Sequence, residues 1–143
     1  MQILILNGPN LNLVGKREPE IYGNVSLDVY LEELGKSYPT IEIITFQSNH
    51  EGDLIDKIHE YGFDCDGIII NAGGYSHTSI ALADAIQAVP APAVEVHISD
   101  ITKREEFRHF SYLKDVCIYH LIGKGLDGYK MAVEYLLARS QTG

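Results

Sequence analysis

Five short apolar runs punctuate the chain: Gln2–Leu6, Ile41–Phe46, Gly67–Ile70, Ala93–Val96 and Val116–Leu121. Several are nearly continuous Ile, Val and Leu, the pattern of parallel strands covered on both faces. Between them the period becomes helical. Leu27, Tyr30, Leu31 and Leu34 fall at i, i+3, i+4 and i+7, with Ser26 placed as an N-cap. Ser48 and Glu51 have capping-box spacing ahead of a second helix with Leu54, Ile58 and Tyr61 on one face. A third helix is expected over 78–89, turning Leu82, Ile86 and Val89 inward. The last carries Tyr129, Ala132, Val133 and Leu136, and a shorter one is expected over 103–110.

Alternating strands and helices predict an α/β fold, a doubly wound parallel sheet between two helical layers. Five strands fit the flavodoxin-like order 2-1-3-4-5, in which ligands bind beyond the carboxyl ends of the strands. A chain of 143 residues is expected to form one domain, 1–143. The segments just after the strands are therefore where chemistry is sought.

Three of them are dense in polar groups. The first, residues 7–23, is long for a plain connection and rich in turn formers; it carries Asn10, Arg17 and Tyr22. Tyr22 is either an exposed aromatic or, if Arg17 folds against it, a phenol that yields its proton more readily. Arg17 has its own plain reading, a surface charge beside Glu18 and Glu20. After the third strand come Asn71, Gly73, Gly74, Ser76 and His77, a glycine-bearing turn that matches neither GxGxxG nor a Walker A.

The fourth strand brings Glu95 and His97, two residues apart and so on one side of it. A carboxylate beside an imidazole fixes the tautomer and favours the protonated ring, which suits a general acid. The alternative is a buried pair that satisfies only itself. Ser99 or Asp100 is placed to cap the next turn, leaving the amides of Ile98 and Ser99 for an anion. Arg104 and Arg108 follow at helical spacing, either solvated or facing that anion. Asp84 shares the outer face of the third helix with Ile80 and Gln87, which hints at a subunit contact.

The net charge of −9 argues against a nucleic-acid or anionic membrane surface, while leaving room for a small anion held by local cations. Cys65 and Cys117 are expected as buried free thiols. No His, Cys, Asp and Glu spacing reads as a metal site. The start of the chain lacks a basic region, and Ile3–Leu6 is too short for a signal or a span, so the cytoplasm is the expected address.

Together these segments resemble the type II 3-dehydroquinate dehydratases. The resemblance runs over essentially the whole chain, through NGPNLN at 7–12, GKREPEIYG at 15–23, FQSNHEG at 46–52, NAGGYSHTS at 71–79, EVHIS at 95–99, REEFRHFSY at 104–112 and GLDGY at 125–129. It implies a flavodoxin-like fold and dehydration of 3-dehydroquinate to 3-dehydroshikimate, in the shikimate pathway, without metal or organic cofactor. By motif, Tyr22 would be the base at carbon 2, with Arg17 lowering its pKa. Asn10 would help hold a water on the enolate. His97, oriented by Glu95, would protonate the leaving hydroxyl. Asn71, His77, Arg108 and the backbone of Ile98 and Ser99 would bind the substrate. The resemblance also implies a dodecamer of four trimers, with Asp84 acting across a trimer contact. Ala72 stands where members often have Pro. Type I enzymes differ in forming a Schiff base on lysine. A flavodoxin-like module that binds a nucleotide or flavin without catalysis is the competing reading.

Overall fold

The computed structural model describes residues 1–16 and 25–142. Five parallel strands form one sheet in the order β2-β1-β3-β4-β5: β1 Gln2–Asn7, β2 Glu42–Gln47, β3 Gly67–Asn71, β4 Ala93–His97 and β5 Tyr119–Ile122. Among the described residues four α-helices cover it: α1 Leu27–Ser37, α2 Glu51–Tyr61, α3 Ile80–Ala88 and α4 Asp127–Thr142. The expected strand order and layers are those observed.

Side-chain alternation divides the interior into two cores. Ile3, Ile5, Ile69, Val94 and Val96 point to the face packed by Leu31 and Leu34 of α1 and by Tyr129 and Val133 of α4. Leu4, Leu6, Ile68 and Ile70 point to the other face, against Leu54 and Ile58 of α2 and Leu82 and Ile86 of α3. Burying each such side chain contributes about 1.5–3 kcal/mol. The central strands are therefore apolar on both faces. Glu95 and His97 break that rule on the α2/α3 side of β4, where both are buried.

Register brings the strand ends level. Asn7 stands opposite Gln47 on one side and Asn71 on the other. The chain leaves β1 through Gly8, whose amide donates to the Asn71 carbonyl at 2.8 Å. A Cβ on Gly8 would sit 2.3 Å from the Ala72 carbonyl oxygen, a backbone atom that cannot swing away. Gly8→Ala is therefore expected to lower the unfolding free energy by about 3 kcal/mol, the upper part of the usual overpacking range, as read by urea denaturation. An unchanged midpoint would show that the two backbones can part freely.

Three local expectations are corrected. Ser48 and Glu51 form no capping box. His50 is the N-cap of α2, and Ser48 Oγ accepts from the His50 amide at 2.9 Å and donates to Asp53 at 2.9 Å. Glu51 accepts instead from the hydroxyl of Ser79, the N-cap of α3, joining the two helix starts. The helix expected over 103–110 is two three-residue 3-10 turns, Ile101–Lys103 and Glu106–Arg108, separated by extended backbone at Arg104 and Glu105. Its segment buries no apolar stripe, Phe107 and Phe110 being exposed, so nothing offsets the cost of nucleating a longer helix. The last strand begins at Tyr119, not Val116.

Candidate active site

A cavity of about 200 Å3 opens at the carboxyl ends of β1, β3 and β4. The segment after β1 brings Asn10 to it; β3 and its following turn bring Asn71 and His77; β4 and its turn bring His97, Ile98 and Ser99. Arg104 and Arg108 complete the wall, and Leu11 and Ile101 add apolar surface. Asn10, Asn71, His77, His97, Ile98, Ser99, Arg104 and Arg108, all marked from sequence, thus meet in one place. Glu95 stands behind His97. Asp84 is exposed on α3 and does not line the cavity. Arg17 and Tyr22 lie outside the described residues.

His97 is held by one strong contact. Its Nε2 lies 2.6 Å from Glu95 Oε2, and the two residues are 5% and 1% exposed. Burial opposes ionisation of Glu95. The hydrogen bond and charge of His97, with hydrogen bonds from Ser111 and His120, outweigh it and hold the carboxyl below its usual range. An ionised Glu95 accepts the Nε2–H of His97, so Nδ1 is the ring position from which a proton can be delivered. Ser111 and His120 were not singled out from the sequence. Only the β4–β5 register, which sets Glu95 opposite His120, brings that partner into view.

His77 differs from its neighbour. Its ring stacks 6.1 Å from that of His97, and its Nδ1 donates to the Phe110 carbonyl at 2.7 Å. Burial is the main cause of its lowered pKa; His97 and Arg108 add to the shift, while the Phe110 carbonyl opposes it. A neutral His77 with Nδ1–H engaged presents Nε2 as an acceptor, suited to a substrate hydroxyl.

Asn71 is oriented by a buried phenol. Its Nδ2 donates to Tyr129 Oη at 2.9 Å, and that hydroxyl donates to Asn7 Oδ1 at 2.5 Å. Gly73 N donates to Asn71 Oδ1 at 3.2 Å, which fixes both ends of the amide. Burial pushes the Tyr129 phenol far up, so it remains a neutral spacer. The sequence showed Tyr129 only as part of an apolar helix stripe. Asn10 adopts a left-handed conformation, φ 70°, and its amide donates to Asn49 Oδ1 at 3.0 Å. Asparagine tolerates this region better than most residues.

The 3-10 turn after Ser99 is capped by Asp100, which accepts from the Thr102 amide at 3.0 Å. Three residues carry little helix dipole, so anion binding there rests on individual amides and on the arginines. Arg108 Nε donates to Glu105 at 3.0 Å. No carboxylate lines the cavity among the described residues. The site therefore favours an anion inside a chain of net charge −9.

Known proteins share this arrangement of chain. The sequence model of the family described as Dehydroquinase class II matches residues 1–137. A 3-dehydroquinate dehydratase of an Exiguobacterium species is 56% identical over 138 residues, 96% of this chain and 94% of the relative. A catabolic 3-dehydroquinase 2 of Neosartorya fischeri is 48% identical, covering 93% and 90%. The crystal structure of a type II dehydroquinase from Butyrivibrio crossotus superposes with a TM-score of 0.92 at 46% identity, over 95% of this chain and 97% of that one. With the family model matching residues 1–137 and a relative 56% identical over 96% of this chain, the chain belongs to the class II dehydroquinases.

Proposed function

We propose that this chain dehydrates 3-dehydroquinate to 3-dehydroshikimate through an enolate, in the shikimate pathway toward aromatic amino acids. The observation that carries the reading is His97, fixed by a buried carboxylate and facing a cavity that also holds Arg104 and Arg108. A phenolate of Tyr22 takes the carbon 2 proton, and the electron pair moves onto the ketone oxygen as an enolate. Arg17 favours the phenolate, and Asn10 helps hold a water against the enolate oxygen, where charge develops. The enolate then collapses to form the carbon 1–carbon 2 double bond. The carbon 1 hydroxyl leaves as water with a proton from His97. Asn71, His77, Arg108 and the Ile98 and Ser99 backbone seat the carboxylate and hydroxyls.

The same reading makes 1–143 a single catalytic domain assembled as a dodecamer of four trimers. Asp84 and Ile80, exposed on α3, suit a contact between subunits. No helix among the described residues is long and apolar enough to cross a membrane. We place the enzyme in the cytoplasm.

Dehydroquinate added to the protein is expected to give rising ultraviolet absorbance as the conjugated enone forms. Turnover should survive borohydride, since no imine is formed on lysine. No absorbance change at micromolar enzyme would overturn the lyase reading, and stabilisation by flavin or nucleotide in that case would favour a binding module.

A further inference from the structure

Asn10 reaches the cavity at the start of the 3-10 turn Leu11–Leu13, with φ 70°. That region is unfavourable for most L-residues and is least so for glycine, asparagine and aspartate. The Asn10 carbonyl accepts from the Leu13 amide at 3.0 Å, within the turn. Its own amide is met from 39 positions away, by Asn49 Oδ1 at 3.0 Å. Asn49 follows β2 and does not line the cavity. We propose that Asn49 is a positioning residue for Asn10, holding it where its side chain can seat the water that faces the enolate. This inference rests on the proposed dehydration and on the part of Asn10 in it.

Asn49 is itself held from two sides. Gln47, the last residue of β2, donates through Nε2 to Asn49 Oδ1 at 3.2 Å and to the Gly8 carbonyl at 3.1 Å. The Asn49 carbonyl accepts from Tyr75 Oη at 2.8 Å. Tyr75 belongs to the 3-10 turn Gly73–His77, which carries His77 to the cavity. One residue thus ties together the segments that follow β1, β2 and β3. The register that sets Asn7 opposite Gln47 and Asn71 brings those segments level.

An amide oxygen has two lone pairs, and Asn49 Oδ1 gives one to Asn10 and one to Gln47. Rotation of the Asn49 side chain therefore breaks both bonds at once. With Asn49 in place, the amide and the carbonyl of Asn10 are both engaged, and its side chain is what the segment offers to a ligand. In the proposed route, charge on the enolate oxygen develops as the carbon 2 proton leaves. A group fixed beforehand against that charge acts on the transition state more than on substrate binding.

The test is a double-mutant cycle of Asn49→Leu with Asn10→Gly, which removes the Asn10 side chain but suits its backbone angle. Asn49→Leu should lower kcat by about tenfold, the upper worth of one neutral hydrogen bond, and change KM by less than about twofold. Added to Asn10→Gly it should cost nothing more, because the side chain it positions is gone. A purely structural role lowers the rate equally in both backgrounds. Asn49→Asp keeps an oxygen for the Asn10 amide and should recover kcat, its charge acting on the KM of an anion. Amide hydrogen exchange followed by NMR reads the contact without turnover. The Asn10 amide should exchange about tenfold faster in Asn49→Leu and at the wild-type rate in Asn49→Asp, with core amides unchanged. Equal losses in both backgrounds, or an unmoved Asn10 amide in Asn49→Leu, would overturn the proposal. No dehydration by the wild type, with the Asn10 amide still released in Asn49→Leu, would instead overturn the dehydratase reading and uphold the contact.

Discussion

His97→Ala is expected to lower kcat by about 100- to 10,000-fold, the usual contribution of a positioned general acid. Hydrogen exchange at carbon 2 should persist, because in the proposed route abstraction of that proton comes first and does not use the imidazole. Deuterium uptake into recovered dehydroquinate, followed by NMR beside the ultraviolet assay, separates the two steps. The fold should hold, because Glu95 retains donors from His120 and Ser111 when the ring is removed. Losing a charge-assisted bond to a buried carboxylate still costs about 1.5–3 kcal/mol, so a modest fall in melting temperature accompanies the kinetic loss. Wild-type dehydration in this variant would take the acid role from His97.

Tyr22→Phe should fail at the other step. A phenyl ring cannot take a proton, so exchange at carbon 2 and dehydration should both drop, by about 100- to 10,000-fold. An unperturbed phenol with a pKa near 10 is mostly protonated at neutral pH. Even a modest lowering by Arg17 enlarges the reactive fraction, which is why the pair matters together. The KM should change less than kcat, since in the proposed route the hydroxyl works on the transition state and other groups seat the carboxylate. Exchange at the wild-type rate in Tyr22→Phe would assign the base to another group. The two variants together distinguish a stepwise enolate route from a concerted one, in which both would lose exchange and elimination in parallel.

Reading the site from the chain worked where one strand supplied the whole relation. Glu95 and His97 share a side of β4 because a strand repeats every two residues, and the 2.6 Å contact follows from that spacing. The segments after β1, β3 and β4 also met as expected, because parallel strands end on one edge. It failed where the partner came from elsewhere. The Ser48–Glu51 spacing implied a local cap, yet Glu51 reaches the hydroxyl of Ser79 on another helix. The 103–110 segment has spacing compatible with a helix but no buried face to sustain one, and it breaks into two short turns.

The sequence by itself determined the class of fold, the apolar faces of the four helices and the strand-end segments that carry the chemistry. Each of these is set by local period and turn composition. Tertiary structure alone decided that the carboxylate of Glu95 also serves His120 and Ser111, and that Tyr129 bridges Asn7 and Asn71 across the sheet. Those contacts join residues up to 122 positions apart. Their geometry depends on strand order and register, which arise only when both faces of the sheet are buried at once.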